Sequence, residues 1–226
     1  MIGMTDVELY QVDPGDIGDV LLKIEKSFDI QFTGDELKDI EDFGELCDHV
    51  KSKIHLEKSE DCASQQAFYK LRNAIATVLK LDKKTILPNT LLKDLLPKQT
   101  RGKIVEKIEA HLGFELKILN FPSTVTNAFI IVFLASFIGM FFYAPMAIGL
   151  ILSLVTHLFL PKSMKKELTV KTMGELAKKM VREHYLESRG SPNTFNEQEI
   201  DKLLVDLFSQ ELGLEESKLG RDATYI

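Results

Sequence analysis

Outside one long apolar run, the hydrophobic positions of the chain follow a helical period. Apolar residues recur three and four positions apart, as Val20, Leu21, Ile24 and Phe28 do. This spacing predicts amphipathic helices that each bury one face. The expected helices run from Gly18 to a break at Thr33-Gly34, and then over 45–54, 65–79, 101–112, 175–185 and 197–212, with a short helical turn at 35–40.

The apolar run itself extends from Val125 to Leu160 and contains no Asp, Glu, Lys or Arg. A single helix over these roughly 36 residues would be about 54 Å long, whereas a bilayer core is about 30 Å thick. Pro145 breaks helices, so it marks a turn between two helices at 126–142 and 146–160. The pattern therefore predicts a two-helix transmembrane hairpin.

Lysines flank the apolar run but do not occur in its turn. Lys117 precedes the run, and Lys162, Lys165 and Lys166 follow it. The positive-inside rule then predicts a multi-pass membrane protein with two spans, both termini in the cytoplasm and these lysines at the lipid surface. A buried soluble hairpin, a shallow re-entrant hairpin, and a small channel or oligomerising element are the alternatives.

The charge is distributed unevenly along the chain. The net charge of −6 combines 14 acids and 5 bases in 1–56, 12 acids and 20 bases in 57–194, and 8 acids and 3 bases in 195–226. A basic middle next to the apolar run favours contact with anionic lipids over nucleic acid, because aromatic residues do not alternate with the bases of Lys93–Lys107. Membrane lipids are therefore expected partners, and nucleic acid is not.

The sequence contains none of the common catalytic or metal-binding motifs. There is no P-loop, GxGxxG or GxSxG sequence, and the five histidines are not spaced as metal ligands. Cys47 and Cys62 do not form a CxxC pair, and residues 1–19 do not resemble a signal peptide, which fits a reducing cytoplasmic face. The prediction is a protein that is not an enzyme and that holds no metal.

Three segments of the chain recur at fixed offsets. Ile24–Ile30 matches Ile108–Phe114 at an offset of 84, and Ile40–Leu46 matches Val170–Leu176 at an offset of 130. Leu212–Leu219 matches Leu79–Ile86 at an offset of 133. The first two offsets differ by 46 residues, which is close to the length of the apolar run with its flanks. The run is therefore an insertion in the second copy of a repeat.

These recurring segments resemble those of the acyl carrier protein family. Leu212-Gly-Leu-Glu-Glu is similar to the end of the family's first helix, Ile24-Glu-Lys-Ser-Phe-Asp-Ile to the end of the second, and Ile40-Glu-Asp-Phe-Gly-Glu to the start of the last helix pair. The resemblance implies an all-α chain with two acyl-carrier-like four-helix bundles beside the transmembrane hairpin.

The resemblance also implies domain boundaries. Residues 1–56 with 195–226 form an acidic domain, 64–117 with 162–186 form a basic domain, 125–160 form the hairpin, and 187–195 form a linker. The first domain is a circular permutation of the family fold, since its first helix lies at the C-terminal end of the chain. A homodimer that exchanges helix 197–212 would make the same contacts.

In the family, a serine before the second helix carries a 4′-phosphopantetheine arm. The equivalent positions here are Asp13-Pro14-Gly15 and Pro97-Lys98-Gln99, and neither set contains a serine. Thr100 has the nearest hydroxyl and is a weak candidate for attachment, although the start of a helix also suits it as a cap. No cofactor is therefore expected, with 4′-phosphopantetheine as the alternative.

The resulting functional hypothesis is a membrane-anchored, acyl-carrier-like docking or scaffold protein. Its acidic domain would bind partners with basic surfaces, such as fatty-acid or lipid-synthesis enzymes. The alternative is an active acyl carrier at the membrane with a non-standard attachment site. The expected docking residues are Asp13, Asp16, Asp19, Glu25, Asp39, Glu41 and Asp42.

Overall fold

The computed structural model describes residues 12–142, 165–191 and 193–224. Contacts between Cα atoms divide the chain into two compact units. Unit 1 combines 1–71 with 176–226, and unit 2 is the continuous stretch 72–175. The predicted domain boundaries, including the linker at 187–195, stay a prediction beside this division.

The described residues form mainly α-helices with a few two-residue strands. The helices are α1 (Pro14–Phe28), α2 (Phe43–Lys53), α3 (Ala63–Leu79), α4 (Leu92–Leu95), α5 (Arg101–Leu112), α6 (Ser123–Phe142), α7 (Met173–Glu183), α8 (Tyr185–Ser188) and α9 (Glu197–Leu212). The strands are β1 (Glu57–Lys58), β2 (Leu119–Asn120), β3 (Glu167–Leu168) and β4 (Thr194–Phe195). Short 3₁₀ turns lie at Lys83–Thr85 and Glu216–Lys218.

The core of unit 1 forms where α9 packs against α1 and α2. Ile24, Cys47 and Phe208 are fully buried there, and the rings of Phe43 and Phe208 meet edge to face at 5.2 Å. These contacts lie within one chain, and the dimer that exchanges 197–212 stays a prediction. β1 pairs with β4 in parallel, which joins two segments that are far apart in sequence.

A buried polar cluster surrounds Tyr185 in unit 1. The Tyr185 hydroxyl accepts a hydrogen bond from the Asn196 N–H at 2.8 Å and another from Arg189 Nη1 at 3.2 Å. The Tyr185 N–H donates to Ser27 Oγ at 3.0 Å, which ties α8 to α1. Burial raises the pKa of Tyr185, so the phenol remains protonated at neutral pH.

In unit 2, β2 pairs with β3 in an antiparallel fashion, and an isolated bridge joins Leu91 to Thr172. Buried apolar side chains from several segments form its interior, including Ile75, Ile86, Leu96, Ile108 and Ile118. The residues that pack this interior lie within one continuous stretch of chain.

The two units contain the same hydrogen bonds at the offsets of the sequence repeat. The Glu25 carboxylate accepts from the Phe32 N–H at 2.6 Å, and the Glu109 carboxylate accepts from the Leu116 N–H at 2.7 Å. The Glu41 N–H donates to Glu45 at 2.7 Å, as the Lys171 N–H donates to Glu175 at 2.7 Å. These side chains pair with N–H groups that would otherwise lack acceptors at helix ends.

At the start of α2 and at the start of α7, a glycine lies close to the backbone of a distant segment. The Gly44 N–H donates to the Arg221 carbonyl at 2.7 Å, and the Gly174 N–H donates to the Pro88 carbonyl at 2.7 Å. Left-handed backbone conformations also recur, at Asp29 and Gly113 and at Lys80 and Gly213. The repeat therefore extends from the sequence to the hydrogen bonds of the backbone.

The predicted transmembrane hairpin over 125–160 is wrong. In the parts of the chain that the structure describes, no helix has both the length and the hydropathy required to cross a membrane. The predicted fold class is corrected to a helical chain with short strand pairs. The predicted localisation, a membrane protein with two spans and both termini in the cytoplasm, is wrong for the same reason.

The composition of α6 explains this correction. Ser123, Thr124, Thr126 and Asn127 make its first turn polar, so its apolar part begins at Ala128. Within the described residues, the apolar part of α6 from Ala128 to Phe142 is about 22 Å long, compared with about 30 Å for the hydrocarbon core of a bilayer. The second predicted helix, 146–160, and its turn at Pro145 lie outside the described residues.

Candidate docking surface

Three of the seven predicted docking residues fix the backbone of unit 1. Asp13 caps α1 by accepting from the Gly15 N–H at 2.7 Å, and Asp42 caps α2 by accepting from the Glu45 N–H at 2.8 Å. Glu25 is half-buried and accepts from the Phe32 N–H. These carboxylates have structural partners, so a change at any of them would disturb the fold as well as the surface.

The other four predicted docking residues are exposed. Asp16 and Asp19 lie in the first two turns of α1, and Asp39 and Glu41 lie in the segment before α2. Among the described residues, none of these four carboxylates forms a hydrogen bond or an ion pair. The positive end of the helix dipole makes the start of α1 a favourable place for acidic side chains. Four full negative charges are thus available at the surface.

An open groove of about 360 Å³ runs beside α1. Gly15 and Gly18 line one part of it, and a Cβ at Gly18 would have no neighbour within 4 Å. Leu22, which is 62% exposed, and Leu37 add apolar surface. Asp19 and Glu25 also line the groove, so the structure brings these two predicted residues together; Asp13, Asp16, Asp39, Glu41 and Asp42 lie outside its lining.

An ionic cluster that the sequence did not indicate supports one wall of this groove. Glu36 accepts hydrogen bonds from Lys53 Nζ and lies 3.3 Å from His49 Nε2. The Lys53 ammonium also lies 5.6 Å from the centre of the Phe32 ring, which lines the groove. The hydrogen bond from Lys53 lowers the pKa of Glu36 to about 2. Only folding brings these residues together, so no local pattern could have predicted the cluster.

A second ionic cluster neutralises other acids of unit 1. Arg221 bonds Asp48 at 2.5 Å and Asp201 at 2.9 Å, and Lys51 Nζ lies 2.7 Å from Asp201. This cluster joins α2, α9 and the segment after α9. Asp19 and Glu25, the acidic residues that line the α1 groove, have no such basic partners among the described residues.

Nucleophilic and metal-binding chemistry find little support in the described residues. Cys47 is fully buried, and burial raises the pKa of its thiol to about 12, which leaves too little thiolate for reaction at neutral pH. Within 12–142, 165–191 and 193–224, no group of three or more His, Cys, Asp or Glu residues could hold a metal ion.

The weak attachment candidate, Thr100, stands at the N-cap position of α5. Its backbone is close to helical, with φ −109° and ψ −3°, and its side chain makes no capping hydrogen bond. Thr100 is exposed, and its hydroxyl is available to solvent. Asp16, at the equivalent position of unit 1, has no hydroxyl.

Three of the four lysines predicted at a membrane surface lie among the described residues. Lys117 is exposed and has a left-handed backbone with φ 50°. Lys165 lies 5.2 Å from the centre of the Phe121 ring, and the Lys166 carbonyl accepts a hydrogen bond from Arg101. Lys162 lies outside the described residues.

Comparison with known proteins gives no relatives: the chain matches no protein-family model, no curated protein and no solved structure.

Proposed function

We propose that unit 1 is a non-enzymatic docking module whose α1 surface binds a basic surface of a protein partner. The observation that carries this proposal is the group of four exposed carboxylates, Asp16, Asp19, Asp39 and Glu41, none of which has a basic partner among the described residues. The exposed Leu22 adds an apolar contact next to Asp19. Charge complementarity speeds encounter and selects partners, and a central apolar residue contributes affinity.

The resemblance to acyl carrier proteins indicates the class of partner. Their partners are enzymes of fatty-acid and lipid synthesis, which offer basic surfaces to an acidic carrier. The hydrogen bonds that recur at Glu25 and Glu109, and at Gly44 and Gly174, support the proposal that the chain contains two carrier-like units. Neither unit has a serine at the expected attachment position, which favours a scaffold over a carrier.

The second candidate function is an active acyl carrier. The exposed Thr100 hydroxyl favours it, because a phosphodiester link to 4′-phosphopantetheine requires a free hydroxyl. Intact mass after co-expression with a phosphopantetheinyl transferase separates the two functions. We expect an unchanged mass, whereas a gain equal to the arm, lost in Thr100→Val, would establish the carrier and defeat the scaffold.

Charge reversal of the α1 surface tests the docking proposal. The variant Asp16→Lys/Asp19→Lys is compared with Glu60→Lys/Glu216→Lys, which changes the net charge equally at exposed acids outside the groove. Binding is measured by surface plasmon resonance against a panel of enzymes that act on acyl carrier proteins. We expect the α1 variant to bind about tenfold more weakly or worse, mainly through slower association, and the control to bind nearly as the wild type does.

Salt dependence provides an independent check of the same surface. Binding of the wild type should weaken as ionic strength rises, and the α1 variant should show a shallower dependence. Equal losses in the α1 variant and the control would indicate a general charge effect and refute docking at α1. Absence of binding to every enzyme of the panel would refute the proposed class of partner.

A further inference from the structure

A basic cleft in unit 2 has the chemistry of an anion-binding site. It is an open cavity of about 360 Å³, and five cationic side chains line it: Lys93, Lys98, Arg101, Lys166 and Lys171. Cavities of roughly 300 Å³ and more accommodate small ligands. The cleft belongs to one unit, and it is separate from the acidic surface of α1.

Most of this positive charge is not compensated. Glu167 is the only carboxylate in the lining, and it lies 3.9 Å from Lys98 Nζ. Among the described residues, Lys93, Lys166 and Lys171 form no ion pair. Arg101 is only 7% exposed, and its guanidinium donates to the carbonyls of Leu96, at 2.8 Å, and of Lys166. Carbonyl groups satisfy its N–H groups but do not cancel its charge.

The backbone around the cleft is already held in place. The Leu92 N–H donates to the Lys171 carbonyl at 2.8 Å, and the Lys171 N–H donates to the Glu175 carboxylate at 2.7 Å. The bonds from Arg101 tie α5 to the segment that carries Lys166. Arg101 is also the first residue of α5, so the positive end of the helix dipole adds to the field of the lysines. The cleft is therefore preformed, and a ligand would bind without ordering much of the backbone.

The rest of the lining is apolar. Leu91, which is 37% exposed, contributes together with Leu168 and Val170. An inorganic anion would leave this surface in contact with water. A molecule with an anionic head and a short apolar group would use both halves of the cleft.

We propose that this cleft binds small amphiphiles that carry a phosphate monoester. A phosphate monoester has a charge of about −1.5 to −2 near pH 7 and three acceptor oxygens, so it can use several cations at once. A single carboxylate would leave most of the five cations unpaired. The proposal goes beyond partner docking by unit 1, because it concerns other residues and a different kind of ligand.

Three probes and two variants of the full chain test this proposal. Hexyl phosphate, hexanol and inorganic phosphate are titrated separately by calorimetry. The cleft variant is Lys166→Glu/Lys171→Glu. It introduces glutamate at both positions, because unit 1 has glutamate at the equivalent positions, Glu36 and Glu41. Lys84→Glu/Lys107→Glu is the matched control, since both lysines are exposed and lie outside the lining. Circular dichroism checks that both variants retain their helices.

We expect hexyl phosphate to bind at least about tenfold more tightly than either hexanol or inorganic phosphate. The cleft variant should lose at least about tenfold in affinity for hexyl phosphate, and the control should lose less than about twofold. If inorganic phosphate binds as tightly as hexyl phosphate, the cleft is a site for free phosphate, and the proposal of an amphiphilic ligand is refuted. Equal binding of hexanol, no binding of hexyl phosphate, or equal losses in the two variants would also overturn the proposal. If the cleft variant unfolds, Lys93→Gln/Lys171→Gln replaces it with the same expected loss.

Discussion

The acidic unit and the basic unit share their backbone hydrogen bonds and differ in the charge of their surfaces. Glu25 and Glu109 make the same bond, but Glu36 and Glu41 of unit 1 are replaced by Lys166 and Lys171 in unit 2. The residues that satisfy buried or helix-end N–H groups are constrained by the fold. The exposed side chains around them are free to suit a ligand, so one backbone can present surfaces of opposite charge.

The largest expected effect is a loss of stability when a side chain is added at Gly44 or Gly174, where α2 and α7 begin close to another backbone segment. A Cβ at Gly44 would lie 2.8 Å from the Arg221 carbonyl oxygen, and a Cβ at Gly174 would lie 3.2 Å from the Pro88 carbonyl oxygen. Gly44→Ala should lower the free energy of unfolding by about 2 to 3 kcal/mol, and Gly174→Ala by about 1 kcal/mol. Urea unfolding monitored by circular dichroism measures both. A larger loss in Gly174→Ala would show that the two approaches are not equivalent.

An intermediate effect is expected at the paired glutamates. Glu25→Ala and Glu109→Ala each remove the acceptor of a backbone N–H and should cost about 1 to 2 kcal/mol. The loss should be greater for Glu109→Ala, because Leu116 is only 2% exposed and water cannot easily replace the carboxylate. Hydrogen exchange should accelerate at the Phe32 amide in one variant and at the Leu116 amide in the other. Glu→Gln substitutions, which keep an acceptor oxygen, are the controls, and losses as large as those of alanine would contradict the assignment.

The smallest expected effect is a difference between the two units in how low pH changes their stability. The pKa of Glu36 is lowered from 4.5 to about 2, so its stabilising contribution is complete above pH 4.5 and is lost as the pH falls towards 2. Its equivalent in unit 2 is Lys166, so unit 2 has no carboxylate at this position. The urea midpoints of the wild type and Glu36→Gln should therefore differ at pH 7 and converge near pH 2. A constant difference over this range would exclude the Glu36 carboxylate as the cause.

Helix periodicity predicted much of the described fold. The bounds of α5 and α9 agree with the expected ranges, 101–112 and 197–212, because these helices have regular apolar faces and clear ends. α2 and α7 begin two residues earlier than expected, at Phe43 and Met173, and the N–H of each of these residues donates to a carbonyl of a distant segment. Such non-local bonds leave no periodic signal.

Other features could not be predicted because they depend on distant partners. Within 187–195, the linker predicted from composition, Ser188 is fully buried and Arg189 is only 3% exposed. Arg189 Nη1 donates to the Asp61 carbonyl at 3.4 Å, and Asp61 becomes its neighbour only in the folded chain. The first predicted membrane helix, 126–142, included Thr126 and Asn127, whose side chains are polar and lie in the first turns of α6. For the candidate surface, the sequence indicated which residues were acidic but not that Asp42 caps α2 or that Glu25 accepts from the Phe32 N–H.

The discontinuity of unit 1 sets an order for folding during synthesis. Unit 2 is one continuous stretch, so all of its residues are synthesised before α9. α1 and α2 are made earlier but lack α9, against which Ile24 and Phe43 are buried. Their apolar faces remain uncovered until the last part of the chain is made. The acidic surface therefore forms last. A nascent chain would have its basic cleft before it could bind a protein partner through α1.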